Sequence, residues 1–189
     1  MADSKLSGRS ALVVVANYGV EQDELLVPVQ HLRDAGAEVQ IAAVTADPIQ
    51  TLVGDKDPGQ KVSPDRTLDD VDASAYDVLV LPGGTLNADA LRLQDKAVAL
   101  VRAFPSAHRP VAAICHGPWG LVEADVVKGK TLTSYPSLRT DIRNAGGHWV
   151  DESAVSDHSN GWTLVTSRTP DDLEDFLKAI DAALTETAP

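Results

Sequence analysis

The sequence predicts a single α/β domain built on a mostly parallel sheet. Its 189 residues suit one domain with a full hydrophobic core. Four continuous apolar runs have the composition of strands that are buried on both faces: SALVVVANY, EVQIAAV, YDVLVLPGG and RPVAAIC. Segments of helical periodicity separate these runs, and this alternation is typical of parallel strands joined by crossover helices.

The segment between the first two strands predicts an amphipathic helix that ends at Gly36. One helical face carries the apolar residues Leu25, Leu26, Val29 and Leu32. Pro28 predicts a kink or a late helix start, because proline has no N–H to donate. Residues 47–72 are rich in Asp, Pro, Gly and Lys, and the pieces IQTLVG and QKVSP predict a hairpin followed by an irregular connection.

The second half of the chain continues the alternation. ADALRLQDKAVALVRAF predicts a helix between the third and fourth strands, and GPWGLVEADVV predicts a short helix after the fourth. GKTLTSYP predicts a short strand and SLRTDIRNAGG another helix. Residues 148–168 predict two or three short strands with a turn at Asn160-Gly161. In the closing helix, Thr169 is the predicted N-cap and Pro170 the first helical residue.

Composition and charge narrow the function. The formal net charge is −12, which disfavours nucleic acid or an anionic membrane as the main partner. A single cysteine excludes an internal disulfide and fits a reducing cytoplasm, and the polar N-terminus lacks the apolar segment of a signal peptide. We expect a cytoplasmic domain over residues 9–187, preceded by a disordered tail over residues 1–8, with no cofactor.

Side chains that could carry chemistry follow three of the predicted strands, at the edge where ligands bind in such sheets. Cys115, the only cysteine, ends the fourth strand and precedes a helix opened by Gly117 and Pro118. This pattern is typical of a nucleophile elbow, where the helix dipole favours the reactive thiolate. A lone cysteine at a strand end is also a common buried small residue, so the local pattern leaves both interpretations open.

Two further loops lie at the same edge. The backbone N–H groups of Gly83, Gly84 and His116 could form an oxyanion hole, although a glycine pair alone also makes an ordinary tight turn. The segment GVEQDEL offers Glu21 and Glu24, either as partners of the helix dipole or as a buried carboxyl beside the thiol. The histidines lack the spacing of metal ligands, so we expect no metal site.

A family resemblance rests on four segments: ANYGVEQDEL, DVLVLPGGTLNADALRLQDKAV, PVAAICHGPWGLVEADVVKGKTLTSYPSLRTDIRNAGGHWVDE and SRTPDDLEDF. Together they resemble the PfpI type of the ThiJ/PfpI superfamily, which includes intracellular protease I, general stress proteins and protein deglycases. The resemblance runs from about Ser10 to Ala183. It implies a flavodoxin-like three-layer α/β/α sandwich that forms a homodimer or a larger oligomer of dimers.

The resemblance also implies roles for site residues. Cys115 matches the nucleophile of the family, and His116 matches the histidine beside it. Glu21 matches the carboxylate that lies against the thiol, by the E-x-x-E-L register. In the protease-like branch an acidic residue after the PGG loop reaches the histidine of a neighbouring subunit. That register falls on Asp89, where glutamate is typical, and the shorter side chain weakens the expected contact.

The adjacency of Cys115 and His116 bears on the choice of activity. We expect adjacent side chains to diverge, which leaves Glu21 as the better-placed proton shuttle. This favours attack on a small reactive carbonyl over cleavage of a peptide bond. The leading hypothesis is a stress enzyme, either a protein deglycase or a glutathione-independent glyoxalase, that acts on reactive dicarbonyls or their protein adducts.

Two alternatives remain open. One is an intracellular cysteine peptidase that uses Cys115, His116 and Asp89. The other is a non-enzymatic redox sensor that is oxidised at Cys115 to sulfenic and then sulfinic acid.

Overall fold

The structure is a computed structural model that describes residues 5–186. The strands are β1 (Ser10–Val15), β2 (Tyr18–Glu21), β3 (Glu38–Ala43), β4 (Ile49–Val53), β5 (Asp57–Val62), β6 (Arg66–Thr67), β7 (Val78–Leu81), β8 (Val111–Ile114), β9 (Thr131–Leu132), β10 (His148–Trp149), β11 (Ala154–Asp157) and β12 (Leu164–Ser167). The helices are α1 (Gln22–Asp34), α2 (Thr85–Leu91), α3 (Asp95–Ser106), α4 (Pro118–Glu123), α5 (Arg139–Asn144) and α6 (Leu173–Glu186). Within this part of the chain, no helix is both long and apolar enough to cross a membrane.

The central sheet confirms the predicted flavodoxin-like α/β sandwich. Its strand order is β11-β12-β8-β7-β1-β3-β6, and each neighbouring pair is parallel except β11 with β12. The chain passes from β1 to β3 on one side and later returns to β7 on the other side of β1. The carboxyl ends of β1 and β7 therefore flank a switch point, where ligands bind in sheets of this kind.

Side chains of the buried strands alternate between two cores on opposite faces of the sheet. The core beneath α1 and α6 contains Val13, Val15, Leu25, Leu32, Ile41, Phe176 and Ile180. The core beneath α2, α3 and α4 contains Leu12, Val14, Leu79, Leu91, Val101, Phe104 and Leu121. Each large apolar side chain that is fully buried contributes about 1.5–3 kcal/mol of hydrophobic stabilisation, so both helical layers are firmly held on the sheet.

The predicted hairpin forms part of a second sheet of three strands. In it β4 pairs antiparallel with β5 and parallel with β2. Gly54 and Asp55 at the hairpin tip have φ angles of 65° and 58°, in the left-handed region that Gly, Asn and Asp tolerate best. The tip reaches the carboxyl edge of the central sheet, where Asp55 lines the same cavity as Cys115.

The structure corrects the predicted disordered tail at residues 5–8. Residues 1–4 of the predicted tail lie outside the described residues, but residues 5–8 form a turn in which Leu6 is 1% exposed and belongs to a core cluster. The Leu6 N–H donates to the Ala35 carbonyl at 2.8 Å, so burial and hydrogen bonding both order this segment. The late helix start expected at Pro28 is wrong, because α1 begins at Gln22 and contains this proline among its buried residues; the kink stays a prediction.

Candidate active site

Cys115 occupies the predicted elbow between β8 and α4. Its φ of 60° lies in the left-handed region, which costs energy for a residue with a Cβ. Hydrogen bonds hold the turn on both sides, from the Cys115 N–H to the Ser167 carbonyl at 3.0 Å and from the Tyr135 N–H to the Cys115 carbonyl at 2.9 Å. A Cβ at Gly117 would lie 2.4 Å from the Leu81 carbonyl oxygen, so the turn requires glycine there.

The thiol faces a cavity of about 290 Å³ at the carboxyl edge of the sheet. Its walls include Glu21, Glu24, Asp55, Thr85, His116 and Tyr135. Cys115 is only 6% exposed, so a reactant must enter the cavity to reach the sulfur. The volume suits a small molecule or one modified side chain better than an extended peptide.

The carboxyl group that lies against the thiol belongs to Glu24. This side chain is fully buried and lies close enough to Cys115 for each group to shift the pKa of the other, while its Oε2 accepts the Gly83 N–H at 2.7 Å. The contact expected for Glu21 is therefore made by Glu24 instead. The two carboxylate oxygens of Glu21 accept the N–H groups of Gly54 and Asp55, at 3.0 Å each, and anchor the hairpin tip.

The burial pattern of α1 explains why Glu24 takes this place. The buried residues of the helix are Glu24, Leu25, Pro28, Val29 and Leu32, which recur at helical spacing on the core-facing side. Glu21 is the last residue of β2 and precedes that stripe. Extending the apolar stripe backwards by one turn, from Pro28 to Glu24, is the sequence signal that identifies the correct glutamate.

The Glu24 and Cys115 pair is strongly coupled. Burial raises the pKa of Glu24 to about 8, although the Gly83 N–H lowers it. Burial also raises the pKa of Cys115, and the Glu24 carboxylate raises it further. Because two buried negative charges in contact repel each other, the pair carries at most one charge near neutral pH. Among the residues that the structure describes, Oε1 of Glu24 is buried without a hydrogen-bond partner, which suits a protonated carboxyl.

His116 also contacts the sulfur, since its Nδ1 lies 3.2 Å from Sγ of Cys115. The expected divergence of these two side chains is wrong. Adjacent side chains point apart in an extended strand, and the left-handed backbone at Cys115 ends that alternation. Burial lowers the pKa of His116, opposed by the charge of Asp55, so the neutral imidazole is favoured. The ring stacks on Tyr135 with 4.7 Å between centroids and meets the edge of Trp119 at 5.2 Å.

Two of the three predicted oxyanion-hole donors face the sulfur. The N–H groups of Gly84 and His116 favour the thiolate and lower the pKa of Cys115. The N–H of Gly83 is occupied by Glu24, so the prediction of Gly83 as an oxyanion donor is wrong. A Cβ at Gly83 would lie 2.4 Å from Oε2 of Glu24, so glycine serves close packing there.

Asp89 lies apart from this group. It is exposed on α2, and within residues 5–186 no hydrogen bond joins its carboxylate to His116. Any contact with the histidine needs a second subunit, and that role stays a prediction. Among the described side chains, no group of three or more His, Cys, Asp or Glu is placed to hold a metal ion.

Two residues of the site are not identified by the sequence alone. Asp55 accepts the N–H and the hydroxyl of Thr85 at 2.8 and 2.7 Å, and the Thr85 hydroxyl lies 3.3 Å from Nε2 of His116. The position of Thr85 directly after the glycine pair is a local signal. No local pattern predicts Asp55, because the docking of the hairpin on α2 brings it there.

The chain matches one family of proteins over nearly its whole length. The model of the DJ-1/PfpI family matches residues 9–183. YraA of Bacillus subtilis (strain 168), named as a candidate cysteine protease, is 39% identical over 171 residues, which cover 90% of this chain and 95% of YraA. Deglycase PH1704 of Pyrococcus horikoshii is 40% identical over 158 residues, which cover 84% of this chain and 89% of the deglycase.

A solved structure agrees with this match. Drosophila melanogaster DJ-1beta superposes with a TM-score of 0.81 at 33% sequence identity, over 94% of this chain and 90% of that chain. The fold and the sequence therefore indicate the same family. Since the family model spans the domain from β1 to α6 and both relatives align over most of their length, the chain belongs to the DJ-1/PfpI family.

Proposed function

We propose that the protein is a cofactor-independent stress enzyme that removes reactive dicarbonyls such as methylglyoxal, either free or as adducts on protein side chains. The observation that carries this proposal is the contact between the buried Cys115 thiol and the buried carboxyl of Glu24, inside a cavity sized for one small substrate. The deglycase named among the relatives supports the same class of reaction. The family relationship supports hydrolytic chemistry at the cysteine.

The first step is attack of the Cys115 thiolate on the aldehyde carbon of methylglyoxal. A C–S bond forms, and the carbonyl electron pair moves to oxygen, where the N–H groups of Gly84 and His116 stabilise the charge. The oxygen takes up the proton of the Glu24 carboxyl, which gives a hemithioacetal and leaves Glu24 as a carboxylate. In the adduct of an amine, the same attack displaces the amine, which leaves with a proton.

Glu24 then moves protons within the bound substrate. It takes the proton from C1 and returns one to C2 through an ene-diol, so that C1 is oxidised to a thioester while C2 is reduced to an alcohol. No external oxidant is needed, because C2 gains the two electrons that C1 loses. A pKa of about 8 suits a group that must both accept and donate a proton near neutral pH. Water finally cleaves the thioester, which releases lactate and restores the thiol.

The direct test is lactate formation from methylglyoxal and from its adduct with N-acetylarginine, with coupled lactate dehydrogenase detection of both enantiomers. We expect the wild type to form lactate from at least one of the two substrates. Lactate at the level of the protein-free buffer with both substrates would contradict the proposal.

One observation favours a second candidate function. Nδ1 of His116 lies 3.2 Å from Sγ, which is the thiol–imidazole pairing that a cysteine peptidase uses. In that case a homodimer, which we propose as the functional state, would bring Asp89 to the histidine of the partner subunit. The half-exposed apolar side chains of Tyr18 and Leu86, on the adjoining elements β2 and α2, support such an interface.

Substitution of Asp89 separates the two candidates. Asp89→Asn is expected to keep methylglyoxal turnover within about tenfold of the wild type, equivalent to less than roughly 1.4 kcal/mol of barrier, because Cys115 and Glu24 carry the reaction. If Asp89 were the aspartate of a catalytic triad, its replacement would instead lower turnover by a factor on the order of 10⁴. Steady-state kinetics with methylglyoxal and with a fluorogenic peptide measure both activities. Peptide cleavage at an ordinary enzymatic rate that disappears in Asp89→Asn would reverse this ranking.

A further inference from the structure

A chain of polar groups leads away from the sulfur through His116. Its Nδ1 faces Sγ of Cys115, and its Nε2 lies 3.3 Å from Oγ1 of Thr85. The Thr85 hydroxyl donates to Oδ2 of Asp55 at 2.7 Å, and the Thr85 N–H donates to Oδ1 at 2.8 Å. The dicarbonyl mechanism above gives Thr85 and Asp55 no role, although both line the cavity.

The carboxylate at the end of this chain fixes the direction of each hydrogen bond. An ionised aspartate can only accept, so the Thr85 hydroxyl must give its single proton to Asp55. The hydroxyl oxygen then offers only lone pairs to Nε2, which must carry a proton to bond with it. A neutral imidazole with its proton on Nε2 has an unprotonated Nδ1, and that nitrogen faces the thiol.

We propose that Asp55, acting through the Thr85 hydroxyl, sets the tautomer of His116 and makes Nδ1 the acceptor of the thiol proton. The proton passes from Sγ to Nδ1, which leaves a thiolate beside an imidazolium whose Nε2–H still donates to Thr85. Asp55 and Thr85 are positioning residues, because they act through the histidine. The proposal rests on the proposed function and deepens it, because the carboxylate that orients His116 is then Asp55 of the same chain.

The hairpin tip is held firmly enough for this role. Glu21 accepts the backbone N–H groups of Gly54 and Asp55, while the Asp55 side chain binds Thr85, so the tip is fixed through backbone and side chain together. Asp55 is exposed as a residue, so solvent screens its charge. The direction of the hydrogen bonds, more than Coulomb attraction, therefore carries the effect.

The other groups around the imidazole do not fix its tautomer. Oγ of Ser137 lies 3.5 Å from Nε2, a longer contact than that of Thr85. Tyr135 stacks on the face of the ring and does not bond to its nitrogens through that face. Glu24, from α1, contacts the sulfur on the side of Gly83.

The first experiment measures the tautomer by nitrogen-15 NMR of protein labelled in the histidine rings. The wild type is expected to show a protonated Nε2 and an unprotonated Nδ1 at a pH where His116 is neutral. In Asp55→Asn the amide oxygen must face the Thr85 N–H, so the amide NH₂ faces the hydroxyl. The hydroxyl then donates to Nε2, and we expect the ring proton to move to Nδ1.

The second experiment measures the rate at which iodoacetamide alkylates Cys115 between pH 5 and 10, which needs no substrate. Asp55→Asn and Thr85→Val are each expected to slow alkylation at pH 7 by about 10–100-fold. This loss is smaller than that caused by replacing a triad aspartate that bonds directly to the histidine, because the effect of Asp55 passes through a hydroxyl. Thr85→Val keeps the backbone N–H bond to Asp55. Thr85→Ser keeps the hydroxyl and is expected to restore the rate to within about threefold.

The matched control is Asp57→Asn, which removes an exposed charge from β5 of the same hairpin and is expected to leave the tautomer and the alkylation profile unchanged. An unchanged tautomer in Asp55→Asn would overturn the proposal. Equal losses in Thr85→Ser and Thr85→Val would also overturn it, because packing at the start of α2 would then be responsible. If the tautomer shifts in Asp55→Asn but the wild type forms no lactate, the role assigned to Asp55 would be supported and the proposed function would be contradicted.

Discussion

Replacement of Cys115 by alanine is expected to abolish lactate formation from methylglyoxal. Without the sulfur no hemithioacetal can form on the protein, and removal of a nucleophile typically lowers turnover by roughly six orders of magnitude. The fold should persist, because the change removes one atom from a small buried side chain and alanine meets the same backbone constraint at a φ of 60°. Lactate assays and circular dichroism during thermal unfolding measure both effects.

Cys115→Ser serves as the matched control for this change. Serine keeps the shape and a hydrogen-bonding group at the elbow, but its hydroxyl is far less acidic than a thiol. We expect this variant to be folded and as inactive as Cys115→Ala. Substantial lactate formation by either variant would show that Cys115 is not the nucleophile.

Replacement of Glu24 by glutamine is expected to slow methylglyoxal turnover by about two to four decades, the usual contribution of a general acid–base group. Glutamine can still accept the Gly83 N–H and donate to the sulfur, but it cannot transfer a proton between substrate carbons. Alkylation of Cys115 by iodoacetamide needs no such transfer, so its rate should fall much less. Similar losses in both rates would place the role of Glu24 in thiol activation alone.

The same variant should change how the stability of the protein depends on pH. The pKa of Glu24 is raised from 4.5 to about 8 in the folded state, so the folded protein binds more protons than the unfolded chain between these values. Its contribution is fully present below about pH 4.5 and is lost as the pH rises through about 8, at about 1.4 kcal/mol per pH unit in between. Glu24→Gln should lack this decline.

Urea unfolding of both proteins at pH 5, 7 and 9 measures the difference. Glu21→Gln is the matched control, because it neutralises the neighbouring carboxylate that binds the hairpin tip instead of the thiol. We expect its stability to keep the wild-type decline with pH. Identical pH dependence in the wild type and in Glu24→Gln would contradict the assignment of the raised pKa to this residue.

The central sheet could be predicted because burial on both faces leaves a continuous apolar run in each strand. Val13 and Val15 face one helical layer while Leu12 and Val14 face the other, so no polar residue interrupts β1. Leu6 could not be predicted in the same way. A single apolar residue within a polar segment has no periodicity, and its burial depends on packing with distant parts of the chain.

The candidate site was predictable to the extent that its geometry is local. The elbow at Cys115 follows from a strand, a glycine and a proline in sequence. To choose Glu24 over Glu21, one must know which face of α1 is buried and that the helix begins directly after Glu21. The contact of His116 with the thiol depends on the left-handed backbone of one residue, and the position of Asp55 depends on how a separate sheet packs. Neither feature can therefore be predicted from the neighbouring residues in the sequence.

The hairpin formed by β4 and β5 belongs to a sheet of its own, yet its tip supplies one wall of the cavity. A lineage can therefore exchange this surface turn without disturbing the packing of the central sheet or the turn that carries the cysteine. An activity that is transferred between relatives on the cysteine motif alone ignores the hairpin tip that forms this wall of the cavity. The residue aligned with Asp55 is the one to compare when enzymes that share the elbow are sorted by chemistry.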